Sequence, residues 1–201
     1  MSDPVEFFDT QFRRQVEAGE YALNPFETAA LPYLKGRLLD LGCGLGNLAL
    51  EAGRRGCEVL ALDASRTGID RINRAAAAEN LKVSARWADL ESYSIADRYD
   101  TIVCIGLLMF FDRAAALALL GNLQAQVEAG GCAIVNVLVE GTTYLDMFRE
   151  GQYTLFGRSE LEGHFAGWDI CLSRHDEFDA PRGTRKAFDT VIARKRASIR
   201  Q

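Results

Sequence analysis

Residues 38–47 constrain the fold more than any other part of this chain. They read Leu-Leu-Asp-Leu-Gly-Cys-Gly-Leu-Gly-Asn, so an apolar run leads into a glycine-rich turn, and a helical pattern follows over residues 48–52. The glycines permit positive φ angles and let a ligand approach the backbone closely. The segment therefore predicts a strand, a turn and a helix, in the order that opens a nucleotide-type cofactor site of an α/β protein.

Asp40 indicates which ligand this turn binds. Its carboxylate should lie at the C-terminal end of the strand, where it would repel a pyrophosphate and favour a ligand with an ammonium and a sulfonium group. S-adenosylmethionine carries both groups. A nucleotide-dependent dehydrogenase would instead need an apolar residue at position 40 and a glycine at position 47, and the chain has Asp40 and Asn47 there.

Four segments of the chain resemble, in order, the cofactor motifs of class I methyltransferases. Asp40, Gly42, Gly44 and Gly46 match the first motif, D-x-G-x-G-x-G, and Cys43 lies within it. The resemblance implies that S-adenosylmethionine is the cofactor. It also implies which residues lie beside each part of the cofactor. Asp63 and Ala64, at the end of the second strand, would lie beside the ribose hydroxyls, and Asp89 and Leu90 beside the adenine. Ile105, at the end of the fourth strand, would lie beneath the methionine part.

A narrower resemblance, to the tellurite-resistance protein B family, rests on residues 105–111, 145–148, 161–168 and 191–195. It implies a small cytoplasmic methyltransferase that acts on tellurium or selenium oxyanions or on similar soft nucleophiles. Family members often carry a His-Arg pair and a further Arg between the last two strands. In this chain the pair is reversed or displaced within residues 174–185, which leaves the acceptor open.

The alternation of strand and helix patterns predicts a doubly wound, mostly parallel sheet of seven strands, closed by an antiparallel C-terminal hairpin. We expect one domain over residues 1–201, with an N-terminal helical lid (1–35), a cofactor-binding core (36–139) and a substrate side (140–201). Helix-capping boxes are predicted at Asn24 and Ser159. The predicted strands are 37–41, 58–63, 83–88, 99–105, 132–139, 168–178 and 185–195, and the predicted helices between them are 47–55, 66–79 and 113–129.

Composition restricts the partners. A formal net charge of −5 argues against a dedicated nucleic-acid binder, which is usually basic. No apolar run is long enough for a membrane span, and the first residues lack a signal-peptide pattern. The five cysteines form no C-x-x-C pair. We therefore expect a cytoplasmic protein that acts on a small molecule, without nucleic acid, membrane or metal; the sequence does not determine the oligomeric state.

Candidate residues for the acceptor are less sharply defined. Met109, Phe110, Phe111 and Tyr144 are expected to wall a methyl-transfer chamber, although helix packing explains Met109 and Phe110 equally well. Tyr21 is a further candidate for substrate binding. His175 or His164 is a weak candidate for a general base, which only an oxygen or nitrogen nucleophile would need. Basic residues of the predicted hairpin, Arg182, Arg185 and Lys186, would attract an anionic substrate, or are simply solvated.

The leading hypothesis is an S-adenosylmethionine-dependent methyltransferase with a small-molecule acceptor, a tellurium or selenium oxyanion or another soft nucleophile. The alternatives are a non-catalytic module that only binds S-adenosylmethionine, and an O- or N-methyltransferase with an unrelated acceptor. A nucleic-acid amino-methyltransferase is disfavoured, because it should show Asn/Asp-Pro-Pro-Tyr after the fourth strand. Residues 104–107 read Cys-Ile-Gly-Leu instead.

Overall fold

The computed structural model describes residues 4–149 and 151–197. Its seven strands form one sheet in the order β3-β2-β1-β4-β5-β7-β6. Strands β1 to β5 are parallel, and β7 is antiparallel to both of its neighbours, β5 and β6. The predicted fold class is confirmed. The strands are β1 (Arg37–Leu41), β2 (Glu58–Asp63), β3 (Val83–Trp87), β4 (Tyr99–Ile105), β5 (Val127–Leu138), β6 (Asp169–Ala180) and β7 (Thr184–Arg194).

Helices cover both faces of the sheet, which explains why the central strands are apolar on both sides. One core cluster joins the sheet to Leu119, Leu120 and Leu123 of the helix that precedes β5. The other joins the opposite face to Leu48 and Ile72 of the two helices after β1 and β2. The helices are α1 (Pro4–Ala18), α2 (Pro25–Ala30), α3 (Asn47–Arg54), α4 (Arg66–Ala78), α5 (Arg113–Gln126) and α6 (Glu160–Gly163).

The start of α2 follows the predicted capping box. The Asn24 side chain accepts hydrogen bonds from the backbone N–H groups of Phe26 and Glu27, each at 2.9 Å. The Glu27 carboxylate accepts in return from the Asn24 N–H at 2.8 Å. This reciprocal pair satisfies backbone donors that would otherwise lack a partner at the helix start.

The second predicted capping box is wrong. Ser159 has a φ of 63° and its side chain makes no capping hydrogen bond; α6 ends at Gly163 rather than near Gly167. The Ser159 N–H instead donates to the Asp189 carboxylate at 2.7 Å. The Glu160 carboxylate accepts from the Gly157 N–H, also at 2.7 Å. A tertiary contact to β7 has replaced the local cap.

The boundary between α5 and β5 also differs from the prediction. The helix ends at Gln126 instead of residue 129, and β5 begins at Val127 instead of residue 132. Val127 pairs with Tyr99 before the register shifts. Gly130 provides a positive φ of 78° at this irregularity, so the chain passes through a bulge where the sequence suggested a helix end.

No helix within residues 4–149 and 151–197 has the length and apolar character needed to cross a membrane.

Candidate functional site

The glycine-rich turn between β1 and α3 has the backbone conformation that its sequence requires. Gly42, Gly44 and Gly46 have φ angles of 71°, 53° and 73°, a region that other residues rarely adopt. The N–H groups of Gly42 and Cys43 donate to the Leu62 carbonyl at 2.8 and 3.1 Å. The turn is therefore fastened to the end of β2.

Gly68, in the first turn of α4, lets this helix approach the turn. A Cβ atom at Gly68 would overlap the Gly44 carbonyl oxygen, which is backbone and cannot rotate away. Ser65 caps α4 by accepting a hydrogen bond from the Gly68 N–H at 3.3 Å. Sequence reasoning missed both residues, although the spacing Ser-x-x-Gly directly after Asp63 and Ala64 was a visible signal.

Asp40 lies at the end of β1 with 5% of its surface exposed. Burial raises the pKa of its carboxyl to about 8, and the negative charges of Glu27 and Asp63 add to this effect. Its carboxyl accepts no hydrogen bond from any residue that the structure describes. Such a group is costly to ionise unless a cation is brought to it.

Asp63, at the end of β2, connects the turn to α4. Its carboxylate oxygens accept from the N–H groups of Gly44 and Ser65, both at 2.8 Å. Burial raises the pKa of Asp63, and these backbone hydrogen bonds oppose the rise. Because each carboxylate oxygen can accept more than one hydrogen bond, Asp63 can still bind hydroxyl groups of a ligand.

A cavity of about 850 Å³ lies over the C-terminal ends of the parallel strands, which is where α/β sheets bind their ligands. We call its two ends the turn end (Asp40, residues 42–46, Asp63, Asp89 and Leu90) and the β7 end (Phe26, Asn136, Tyr144, Lys186 and Phe188). The predicted residues that line this cavity are Asp40, Gly42, Cys43, Gly44, Gly46, Asp63, Ala64, Asp89, Leu90, Ile105, Met109, Phe110, Phe111, Tyr144 and Lys186.

Tyr21 is not among these lining residues. Its ring lies 3.8 Å from the Arg71 guanidinium, and its hydroxyl donates to the Val16 carbonyl at 3.2 Å. It borders a separate surface cavity between α1, α3 and α4, together with Arg54 and Arg71.

Of the four basic or titratable candidates in the C-terminal hairpin, Lys186 lines the cavity, whereas His175, Arg182 and Arg185 are not among its lining residues. His175 is 2.7 Å from the Asp189 carboxylate, which raises the pKa of His175. Arg182 forms an ion pair with Asp146, and Arg185 donates to the Gly141 carbonyl at 3.2 Å. Side chains alternate along a strand, so Arg185 and Asp189 point to one face of β7 while Lys186 and Phe188 point to the cavity.

Several lining residues were not singled out from the sequence. Phe8 and Phe12 of α1 cover the cavity: the Phe8 ring centroid lies 5.3 Å from that of Phe110, and Phe12 approaches within 3.1 Å of the position a Gly44 Cβ would occupy. The Asp9 carboxylate accepts from the Ser65 hydroxyl at 2.6 Å, which fixes α1 to the start of α4. Aromatic residues at helical spacing predicted a helix here, but not its position.

Asn136 of β5 is fully buried and lines the cavity. Its Nδ2 donates to the Thr190 hydroxyl oxygen at 2.9 Å, while its Oδ1 has no hydrogen-bond partner among the described residues. Buried polar atoms in proteins are nearly always paired, so this one indicates where a ligand would supply a donor.

Comparison with known proteins agrees with this geometry. A family model described as tellurite resistance protein TehB matches residues 26–179. A probable S-adenosyl-L-methionine-dependent methyltransferase TehB of Haemophilus influenzae (strain 10810) is 28% identical over 171 residues, which cover 80% of this chain and 57% of the relative. A ubiquinone biosynthesis O-methyltransferase of Rickettsia bellii is 28% identical over 101 residues, covering 50% of this chain and 41% of the relative.

Solved structures share the fold. The crystal structure of TehB from Haemophilus influenzae aligns with a TM-score of 0.77 at 21% identity, covering 90% of this chain and 65% of that one. Coclaurine N-methyltransferase, bound to N-methylheliamine and SAH, aligns with a TM-score of 0.68 at 15% identity, covering 85% of this chain and 69% of that one. The chain spans 57% of the length of the TehB relative. Since the family model extends from α2 to the end of β6 and includes the glycine turn, the chain belongs to the tellurite resistance protein TehB family.

Proposed function

We propose that this chain is an S-adenosylmethionine-dependent methyltransferase with a small-molecule acceptor. One observation carries the proposal: Asp40 is a buried carboxyl without a hydrogen-bond donor among the described residues, at the edge of a turn with three positive-φ glycines. The methionine ammonium of the cofactor would supply the missing cation. Membership of the TehB family supports the same activity.

The residues of the turn end fit this cofactor. Asp40 would bind the ammonium group, and Asp63 has acceptor positions for the ribose hydroxyls. Asp89 and Leu90 would lie beside the adenine. The glycines leave the backbone of the turn accessible to a ligand. At Gly44 the lack of a side chain also leaves room for the Phe12 ring, which a Cβ atom there would meet. When bound, S-adenosylmethionine supplies a methyl group on a positively charged sulfonium.

The residues of the chain would position the acceptor and exclude water, rather than transfer protons. Met109, Phe110, Phe111 and Phe8 line the cavity and would exclude water from a reaction in which charge is neutralised. Holding the acceptor in line with the methyl group supplies much of the remaining rate acceleration. Neither histidine of the chain, His164 or His175, lines the cavity.

This lack of a histidine near the reacting groups supports a soft nucleophile as the acceptor. A thiolate or a selenium or tellurium oxyanion attacks carbon without first losing a proton, whereas a hydroxyl or an ammonium needs a base. An O- or N-acceptor is the second candidate, and a module that binds the cofactor without turnover is the third. The negative net charge supports a function without a nucleic-acid partner.

Helix α1 would act as a lid over the cofactor. None of its residues is fully buried, and its contacts include the Phe8–Phe110 ring pair, the approach of Phe12 to Gly44 and the Asp9–Ser65 hydrogen bond. A helix without fully buried residues can open without disturbing the core. Its opening would admit the cofactor, and its closure would complete the wall.

Calorimetric titration with S-adenosylmethionine and S-adenosylhomocysteine tests the proposal, first on the wild type and then on Asp63→Ala. We expect micromolar binding that is lost or sharply weakened in the variant. Mass spectrometry of reactions with selenite, tellurite and thiols would then detect methylated products. Absence of binding by either ligand would overturn the methyltransferase assignment. Tight binding without any methylated product would favour the non-catalytic module.

A further inference from the structure

The β7 end of the cavity extends beyond the residues that fit the cofactor. Its walls are apolar or aromatic, and each of its two extremes carries a polar side chain with an unmet interaction. The polar residues are Asn136 and Lys186, and the wall between them is formed by Phe26, Met109, Tyr144, Met147 and Phe188.

Lys186 is a half-buried cation at the outer extreme. Its Nζ lies 4.6 Å from the centroid of the Tyr144 ring. Burial lowers the pKa of Lys186, and no charged group among the described residues opposes that effect. A partly desolvated ammonium beside an aromatic ring gains from an anion brought to it.

Asn136 marks the inner extreme, beside the turn end. It is the register partner of Ile105 at the end of β4, and the Gly106 N–H donates to its backbone carbonyl at 3.0 Å. Its unpaired Oδ1 therefore lies close to the strand end over which the methionine part of the cofactor is expected to lie.

The two extremes are too far apart for one small inorganic ion. Asn136 pairs with Thr190, and Lys186 precedes Thr190 by four residues on β7, which corresponds to about 14 Å along the strand. Both side chains point to the same face. The Lys186 ammonium lies beside the ring of Tyr144, a residue whose N–H donates to the Arg185 carbonyl at the same end of β7.

We propose that the acceptor is an organic molecule with an apolar body, whose anionic group binds Lys186 while the atom to be methylated lies beside Asn136. This rests on the proposed function, since it presupposes that the turn end holds the cofactor. For a thiolate acceptor, a new sulfur–carbon bond forms to the methyl group, the carbon–sulfonium bond breaks, and its electron pair stays on the cofactor sulfur. No proton is transferred.

A chain-length series tests this assignment on protein saturated with S-adenosylhomocysteine. The probes are mercaptopropionate, mercaptohexanoate and the neutral mercaptohexanol, titrated calorimetrically. We expect mercaptohexanoate to bind best, at least about tenfold more tightly than mercaptohexanol. Lys186→Met should abolish that preference and leave mercaptohexanol binding unchanged, whereas Lys186→Arg should keep it. Lys82→Met, an exposed lysine between α4 and β3, removes the same charge at a remote position.

The outcomes separate this inference from the proposed function. If S-adenosylhomocysteine does not bind, the proposed function fails, and this inference fails with it. If it binds, but the thiol acids do not bind or their preference survives in Lys186→Met, only the organic-anion assignment is overturned. Selenite or tellurite binding that weakens in Lys186→Met but not in Lys82→Met would also overturn it, because the cation would then serve an inorganic acceptor. Thermal unfolding of each variant verifies that it is folded.

Discussion

The two ends of the cavity are built in different ways. At the turn end, most of the groups that face the ligand come from one stretch of chain, residues 40–68, and backbone hydrogen bonds to Asp63 and Leu62 hold them in place. At the β7 end, single side chains are contributed by α2, β5, the segment after β5, and β7. Backbone geometry therefore fixes the turn end, whereas sheet assembly fixes the β7 end.

Gly68→Ala should have the largest effect on stability and binding, because it disrupts the backbone packing of the turn end. The added Cβ would overlap the Gly44 carbonyl, so we expect a loss of about 3 kcal/mol in the free energy of unfolding and no measurable binding of S-adenosylhomocysteine. Urea unfolding and calorimetry measure the two effects. Gly121→Ala is the matched control, since this helical glycine in α5 has no atom within 4 Å of its Cβ position. That variant should gain about 0.5–1 kcal/mol; equal behaviour of the two variants would contradict the packing argument.

Asp40→Asn should separate binding from stability at the same end. The pKa of Asp40 is raised from 3.8 to about 8 in the folded protein, so folding retains a proton that the unfolded chain releases. The free energy of unfolding therefore falls as the pH rises from about 4 to about 8. The asparagine removes this loss, so its stability advantage over the wild type should grow over that interval and then level off. Binding of S-adenosylmethionine should weaken at least about a hundredfold.

Urea unfolding of the free protein at pH 5 and pH 8, with calorimetry at pH 8, measures both changes. Asp97→Asn serves as the control, because this aspartate is exposed and paired with Arg37; its effect should not increase over the same range. A pH-independent difference between Asp40→Asn and the wild type would contradict the burial of a protonated carboxyl.

Phe8→Ala tests helix α1, whose residues Phe8 and Phe12 line the cavity. Loss of the ring contact with Phe110 should raise the cleavage rate within α1 during limited proteolysis and weaken S-adenosylhomocysteine binding by about tenfold, with little change in global unfolding. Glu17→Ala, at an exposed position of the same helix, is the control. If global stability falls as much as binding does, α1 belongs to the core and does not act as a lid.

The smallest effect is expected from His175→Gln, on the face of β7 that points away from the cavity. The Asp189 carboxylate raises the pKa of His175 above 6.5, so its stabilising contribution is complete below about pH 6.5 and is lost as the pH rises through the folded-state pKa. We expect a loss of less than about 1 kcal/mol at pH 6, less at pH 8, and unchanged cofactor binding. A drop in cofactor binding would move His175 into the site.

The same contrast explains how much the sequence could predict. Most of the turn end lies within residues 40–63, so reading residues 40–46 and Asp63 in order was enough to place them together. Lys186 and Arg185 are adjacent in the sequence and equally basic, and only the register of β7 against β5 decides which of them faces the cavity. Ser159 is a case in which the local pattern gave a wrong prediction. Its sequence predicted a helix cap, but its N–H instead forms a tertiary hydrogen bond to Asp189.

Because β7 lies between β5 and β6, the two ends of the cavity should form at different times during folding. Asp40, the glycine turn and Asp63 all belong to the first third of the chain, and their mutual contacts close short loops. The hydrogen bond between Asn136 and Thr190 joins residues 54 positions apart, and Lys186 reaches the cavity only once β7 has inserted between β5 and β6. Because distant strand pairings form slowly, a newly made chain should form the turn end of the cavity before the β7 end, so the residues proposed to select the acceptor are the last to come together.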